Sequence, residues 1–242
     1  MKIAVDTHTH TVASGHAYST VYELAMGAKR RRLAGFVLTD HGPAMPGGTH
    51  PYHFGNMRIL PERIRGVRFY RGVEANILDL EGKLDLDDEY LIQLHFVYAG
   101  LHETCFAPRG EAENTRALVA ALGNPLVDSV SHPGNPNYPV DIRAVVQAAK
   151  ENGKAIEINN SSFRVRQGSL ERCTEFARLC AETGTFIVCG SDAHYWSDVG
   201  RFDEASGILE RLQIPREQVI NATRASFEAF LARRAADKKV VR

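Results

Sequence analysis

Residues 2–10 read KIAVDTHTH. Three apolar residues, Ile3 to Val5, give way at once to Asp6, His8 and His10. A short run that is apolar on both faces fits a strand of a parallel sheet covered by helices. The same figure recurs at Phe36–Leu38, Phe69–Val73, Phe96–Ala99, Leu126–Val130, Ala155–Ile158 and Phe186–Val188. Each run is separated from the next by more than a hairpin loop, and the intervals carry helix signals. Thr20 and Glu23 make a T-x-x-E capping box, ahead of an apolar stripe at Val21, Leu24, Ala25 and Ala28. Lys29 to Arg32 suit the C-terminal end of that helix, with Gly35 beyond. Asp141 can cap a helix through Glu151 or Asn152, and Ser169 another that ends near Gly184. Arg224–Ala235 carries Phe227, Phe230 and Leu231 at helical spacing, as a closing helix would. Seven strand–helix units predict an α/β fold, a (β/α)7 barrel one unit short of the usual eight. An open doubly wound sheet is the alternative, but no G-x-G-x-x-G follows the first run.

No linker or composition shift divides residues 1–242, which are read as a single domain. The chain is 44% hydrophobic and 24% charged, which argues against a largely disordered protein. Lys+Arg and Asp+Glu are 29 each, so the basic excess expected of a nucleic-acid binder is missing. Lys2 precedes only three apolar residues, too few for a signal-peptide core, and no run is long enough to cross a membrane. Cys105, Cys173, Cys180 and Cys189 form no C-x-x-C pair. Cys173 and Cys180 share a helical face with Phe176, as reduced, buried thiols of a cytoplasmic protein would. Gly42–Asn56, GPAMPGGTHPYHFGN, is too broken for a helix or a strand and reads as a loop, placed after His41 as a lid over the barrel mouth.

The chemistry sits where the runs end. Asp6, His8 and His10 follow the first, with His16 a few residues on. Asp40 and His41 follow the second, Glu74 lies in the third, and His102 and His132 follow the fourth and fifth. Glu157, Asn159 and Asn160 end the sixth, and Asp192 and His194 follow the seventh. In a parallel barrel these ends converge on one mouth. Residues two apart on extended backbone project to the same side, so His8 with His10, and Asp192 with His194, can each grip one ion. Imidazole and carboxylate suit zinc, and also manganese or iron. Seven histidines (8, 10, 16, 41, 102, 132, 194) with Glu74 and Asp192 exceed the roughly four ligands that one zinc takes. Several ions sharing ligands are therefore expected.

These residues resemble the PHP (polymerase and histidinol phosphatase) family, and within it the YcdX-type bacterial phosphatases. The matching stretches include DTHTHTVAS with HAYST, TDHGP, NMRI, RGVEANI, AGLHE, SHPGNP, EINNSSF and GSDAH, from residue 6 to residue 194. The last 45 or so residues match less clearly. The resemblance implies a distorted seven-stranded TIM-like barrel and about three ions per chain, zinc first among the candidates. It implies that His8, His10, Glu74 and Asp192 hold one ion, that Glu74, His102 and His132 hold a second with Glu74 bridging, and that His16, His41 and His194 hold a third.

The expected activity is hydrolysis of a small phosphate ester by a metal-bound hydroxide, with no side-chain nucleophile; Ser161 and Ser191 are the competing candidates for that role. Arg58 and His53 are expected to grip phosphate, and Asn159 to Ser162 to bind ligand or support the metal site. No membrane partner is expected, nucleic acid is disfavoured, and a homo-oligomer is compatible with the sequence. A metal-dependent amidohydrolase is the main alternative. Such barrels also begin with H-x-H, but their bridging lysine is missing from the ends of runs three to six. A phosphodiesterase and a non-catalytic metal-binding module are further alternatives.

Overall fold

Every apolar run contributes to a parallel strand, although Ile3, Ala4 and residues 126–128 lie outside the strands. The strands are β1 (Val5–Asp6), β2 (Gly35–Leu38), β4 (Val67–Asn76), β5 (Phe96–Gly100), β6 (Ser129–Val130), β7 (Ala155–Asn159) and β8 (Phe186–Gly190), paired in that order. One more short strand, β3 (Arg63–Ile64), pairs antiparallel with the start of β4 and has no counterpart among the predicted runs. The computed structural model describes residues 1–238.

The period of two along each strand sorts side chains into two cores. Phe36 and Leu38, Val97 and Ala99, Ile156 and Ile158, and Ile187 and Cys189 face outward and pack under the helices. Val37, Tyr70, Phe96, Tyr98, Ala155 and Val188 face the barrel interior. Further along the same strands lie Glu74 and Glu157, in register with Tyr98 and Val188. The interior is thus apolar at the N-terminal end of the strands and acidic toward the C-terminal end.

The helices are α1 (Val21–Arg30), α2 (Pro51–Asn56), α3 (Asp88–Leu91), α4 (Glu111–Gly123), α5 (Ile142–Glu151), α6 (Ser162–Val165), α7 (Ser169–Thr183), α8 (Asp203–Arg211) and α9 (Arg224–Lys238). Both arms of the Thr20–Glu23 capping box are formed, and Asp141 caps α5 by accepting from Ala144 N. α7 is capped differently from expectation. Gly168, at φ 87°, is its N-cap, while Ser169 lies inside the first turn and its hydroxyl donates to Ser162 O at 2.9 Å. The Gly42–Asn56 segment is also less irregular than expected. Pro51 starts α2, where a missing N–H costs nothing, and the His50 side chain accepts from Tyr52 N.

Two devices finish the barrel. α9 closes its N-terminal end, where Phe227 packs edge-on against Tyr70 at 5.1 Å and, with Phe230, against Phe96. At the seam no ladder joins β1 to β8 among the described residues; the segments that follow them meet at the top, through the Thr9–Ala193 bridge. Below it Asn221 fills the gap. Its Nδ2 donates to Val5 O at 2.8 Å and Cys189 O at 2.7 Å, and its Oδ1 accepts from Cys189 N.

Candidate metal centre

Glu74, on β4, is the hub. Its Oε2 lies 3.1 Å from His8 Nε2, 3.4 Å from His10 Nε2 and 3.0 Å from His41 Nδ1. Its Oε1 lies 2.8 Å from His132 Nε2 and 3.2 Å from His102 Nε2. Asp192 Oδ1 closes the other side, 3.4 Å from His10 Nε2 and 3.7 Å from His8 Nε2. His194 Nδ1 stands 3.5 Å from the same oxygen. His16, exposed at the rim, stacks 5.1 Å from His41 and lies 4.9 Å from His194. The structure therefore gathers all nine residues expected at the barrel mouth into one cluster.

Two kinds of backbone make the crowding feasible. His132 and Asp192 adopt positive φ, 32° and 54°, a left-handed turn that is uncommon outside glycine and often marks functional sites. Gly100 and Gly190 leave space that side chains would fill. A Cβ on Gly100 would overlap Ser131 Oγ, and one on Gly190 would overlap Glu157 Oε1 and His8 Cβ.

The polar atoms test whether this cluster suits metal. His8 Nε2, His10 Nε2, His41 Nδ1 and Glu74 Oε2 are all buried and make no hydrogen bond of good geometry. Four converging atoms in that condition are costly without a cation between them. His8, His10 and Glu74 bring donor atoms within 4.8 Å of one another, as do His10, His41 and His194, and His41, Glu74 and His102. Burial lowers the pKa of His41 well below the usual range and that of His10 to about 4, where His194 adds to the effect. Both rings are thus held neutral, the form that ligates metal. His8 is the exception. Burial would lower its pKa, but Glu157, Glu74 and Asp192 together raise it. The surrounding histidines hold the Glu74 carboxyl ionised, against the effect of burial.

An outer ring of residues aims these ligands, and most of it was not foreseen from sequence. Glu157 accepts from His8 Nδ1 at 2.7 Å and from His132 N at 2.6 Å. Ser14 Oγ bonds His10 Nδ1 at 3.0 Å and donates to buried Asp40 at 2.7 Å. Asn76 Oδ1 bonds His102 Nδ1 at 2.7 Å, and the Asn76 amide is itself held by Asp85. Asp6 fixes the turn before Asp192 by accepting from Ser191 N and Oγ and from Gly200 N. The position of Asp6, Asp40 and Glu157 at run ends, and the Asn159 to Ser162 stretch after the sixth run, are what point to this ring in the sequence.

The cluster floors a cavity of about 300 Å³, also lined by Met45, Leu101, Glu103, Thr104, Asn135, Tyr138 and Arg166. Arg166 Nη1 lies 3.4 Å from Asp192 Oδ2. The residues expected to bind substrate lie elsewhere. Asn159 is fully buried, with Oδ1 accepting from Ser162 N and Oγ and Nδ2 donating to Glu157 at 3.2 Å. It steadies Glu157 and presents no surface to a ligand. His53 and Arg58 line a separate, mostly apolar cleft of about 950 Å³ with Val12, Met57, Ile59 and Tyr90. His53 Nε2 is bonded to Asp40 there, at 3.1 Å. Of the Gly42–Asn56 segment, Met45 reaches the metal cavity, where Thr104 Oγ1 meets its sulfur at 3.3 Å.

Comparison with known proteins gives the arrangement a context. The chain is 53% identical to a probable phosphatase of Acetivibrio thermocellus over 234 residues, 97% of each chain. It is 51% identical to one of Caldanaerobacter subterraneus over 233 residues, 96% of this chain and 92% of the relative. No protein-family profile matches the chain. Among solved structures, the fold is similar to the histidinol phosphate phosphatase of Lactococcus lactis, a complex with zinc, L-histidinol and phosphate. That match has a TM-score of 0.66 at 16% identity and covers 89% of this chain and 95% of that one. A probable 2-pyrone-4,6-dicarboxylic acid hydrolase of Acinetobacter baumannii matches with a TM-score of 0.56 at 13% identity, over 96% of this chain and 100% of that one.

Proposed function

The chain belongs to this family of bacterial probable phosphatases, and from that premise we propose that it is a metal-dependent phosphomonoesterase of the PHP family, of YcdX type, built as a single domain. The observation that carries the reading is the set of buried orphan atoms on His8, His10, His41 and Glu74, which converge without hydrogen-bond partners. His8, His10, Glu74 and Asp192 would hold one ion, and Glu74, His102 and His132 a second. His16, His41 and His194 would hold a third near the rim. Zinc suits these ligands, and manganese or iron would be accepted. Bound there, the ions would supply an activated water and neutralise charge on the phosphoryl group.

The protein's own residues would do the rest. Arg166 would take a phosphoryl oxygen beside Asp192, since a guanidinium is a strong partner for phosphate. Glu157, Ser14 and Asn76 would keep the ligand rings oriented. Ser191 is a poor nucleophile here, because its hydroxyl is buried and donates to Asp6 at 2.5 Å. The buried thiols of Cys173, Cys180 and Cys189 favour a reducing compartment, the cytoplasm.

The test is hydrolysis of p-nitrophenyl phosphate by protein as purified, after chelation, and after addition of zinc or manganese. Activity lost on chelation and regained with metal is expected. Full activity in metal-free protein would refute the reading.

A further inference from the structure

We propose that His53 is a positioning residue of the metal centre: acting through Asp40 and Ser14, it fixes which nitrogen of the His10 ring faces the ion. The inference rests on the metal-centre reading above. It adds a residue that lines no part of the metal cavity and borders the separate 950 Å³ cleft instead.

A hydroxyl offers one proton and two lone pairs. At Ser14 Oγ all three are in use. The proton goes to Asp40 Oδ1 at 2.7 Å, one lone pair accepts from His41 N at 3.1 Å, and the remaining contact is His10 Nδ1 at 3.0 Å. That last contact is a hydrogen bond only if Nδ1 carries the hydrogen. In a neutral imidazole the other nitrogen, Nε2, is then bare. His10 Nε2 is the buried, unbonded atom that faces Glu74 and Asp192. The direction of one hydroxyl proton therefore decides whether His10 presents a lone pair to the ion.

Asp40 sets that direction. Its carboxylate is fully buried and accepts four hydrogen bonds, as many as its lone pairs allow. Thr11 N and Ser14 Oγ donate to Oδ1, and Thr11 Oγ1 and His53 Nε2 to Oδ2, the last at 3.1 Å. Three of these donors belong to residues 11–14, the same turn that Asp40 holds in place. His53 comes from α2, which is anchored separately by buried Phe54 and by Met57 just beyond it. Without His53 a buried carboxylate keeps an empty lone pair, which costs free energy unless the group turns to share its other donors. Such a turn draws Oδ1 off Ser14. The hydroxyl is then free to donate to His10 Nδ1, and the ring carries its hydrogen on Nε2, the side of the ion. The His53 side chain is 27% exposed, at the wall of a cleft, so a substitution there does not have to be forced into packed core.

Zinc affinity, measured by competition with a chromophoric chelator, tests the chain link by link. His53→Phe keeps a ring and removes the donor, whereas His53→Gln restores an N–H near the place of Nε2. Affinity should fall about tenfold in His53→Phe, the lower end for partners that orient metal ligands, and most of it should return in His53→Gln. In Ser14→Ala the chain is already cut, so adding His53→Phe should cost little more, as for residues that act in series. Long-range proton–nitrogen correlation spectra of the metal-free proteins report the ring directly, with His10 assigned by its loss in His10→Gln. They should show Nδ1–H in wild type and His53→Gln, and Nε2–H in His53→Phe. Wild-type zinc affinity or an Nδ1–H ring in His53→Phe, an equal loss in His53→Gln, or full additivity with Ser14→Ala would overturn the positioning role and leave the metal centre intact. Wild-type protein that binds neither zinc nor manganese would overturn both.

Discussion

Glu157 and His8 lie 149 positions apart in the chain and share a 2.7 Å hydrogen bond inside the barrel. The bond fixes Nδ1 of the ring as donor and turns the other nitrogen, Nε2, toward Glu74 and Asp192. Partners of this kind typically change metal affinity by about 10–100-fold when removed. Glu157→Gln keeps the shape and removes the charge. Its metal affinity, measured by competition with a chromophoric chelator, should fall about tenfold or more. An unchanged affinity would mean that His8 needs no such partner.

Glu74 touches five histidines, whereas His16 touches the cluster only at its rim. Glu74→Gln should therefore lose more metal and more activity than His16→Ala. Elemental analysis of both proteins, prepared side by side, is the check. Equal metal content would count against a bridging role for Glu74.

Gly190 is a position where one methyl group should harm the metal site itself, because it would press on both Glu157 and His8. Overpacking of this sort costs about 1–3 kcal/mol. Gly190→Ala should lower the melting temperature and the activity together. Gly123→Ala, whose new methyl meets nothing within 4 Å, is the control and should be harmless. Similar melting temperatures for the two variants would show that the barrel mouth relaxes to admit the methyl.

Lys154 gives a pH signature remote from the metals. Its amine is buried and donates to Asn124 O at 2.9 Å and Val127 O at 2.5 Å. Burial, then Arg234 and Lys238 against the opposing pull of Asp128, brings its pKa from 10.5 to about 7. Below pH 7 the ammonium is present in both folded and unfolded states, so the folded protein bears the full cost of burying it. Between pH 7 and 10.5 the unfolded state binds the extra proton, so this cost is relieved as pH rises. Melting temperatures of wild type and Lys154→Met across that range should show the wild type gaining on the variant. A constant difference would contradict the depressed pKa.

The sequence shows the barrel because its short runs, apolar on both faces, end abruptly in ligand-type residues, so Phe96–Ala99 and His102 can be read in one pass. The nine cluster residues are legible for the same reason. The supporting residues are not. Asn76 orients His102 across a contact 26 positions long, and nothing local distinguishes that asparagine from any other. Arg166 lies beyond the end of a strand run, in the turn before α7, and only the folded chain brings it to Asp192. His53 and Arg58 lie apart from the metal cavity for a geometric reason. They follow His41 closely in sequence, but the chain carries them to the cleft that Thr11, Val12 and Ala13 also line. Pro51 reads as a breaker, although the first turn of a helix accepts proline.

Asn221 has a bearing on the order in which the molecule can assemble. It links Val5, near the beginning of the chain, to Cys189 across a separation of 216 positions from Val5. Seven strand pairings can form as the chain emerges from the ribosome, since each joins strands adjacent in sequence or, for β2 and β4, separated only by β3. The lower half of the ring stays open, with the exposed borders of β1 and β8 unmatched, until residues 219–221 arrive. A ribosome pausing just before that point would hold a nascent sheet with two raw edges, the form in which chaperone protection and off-pathway pairing compete most directly.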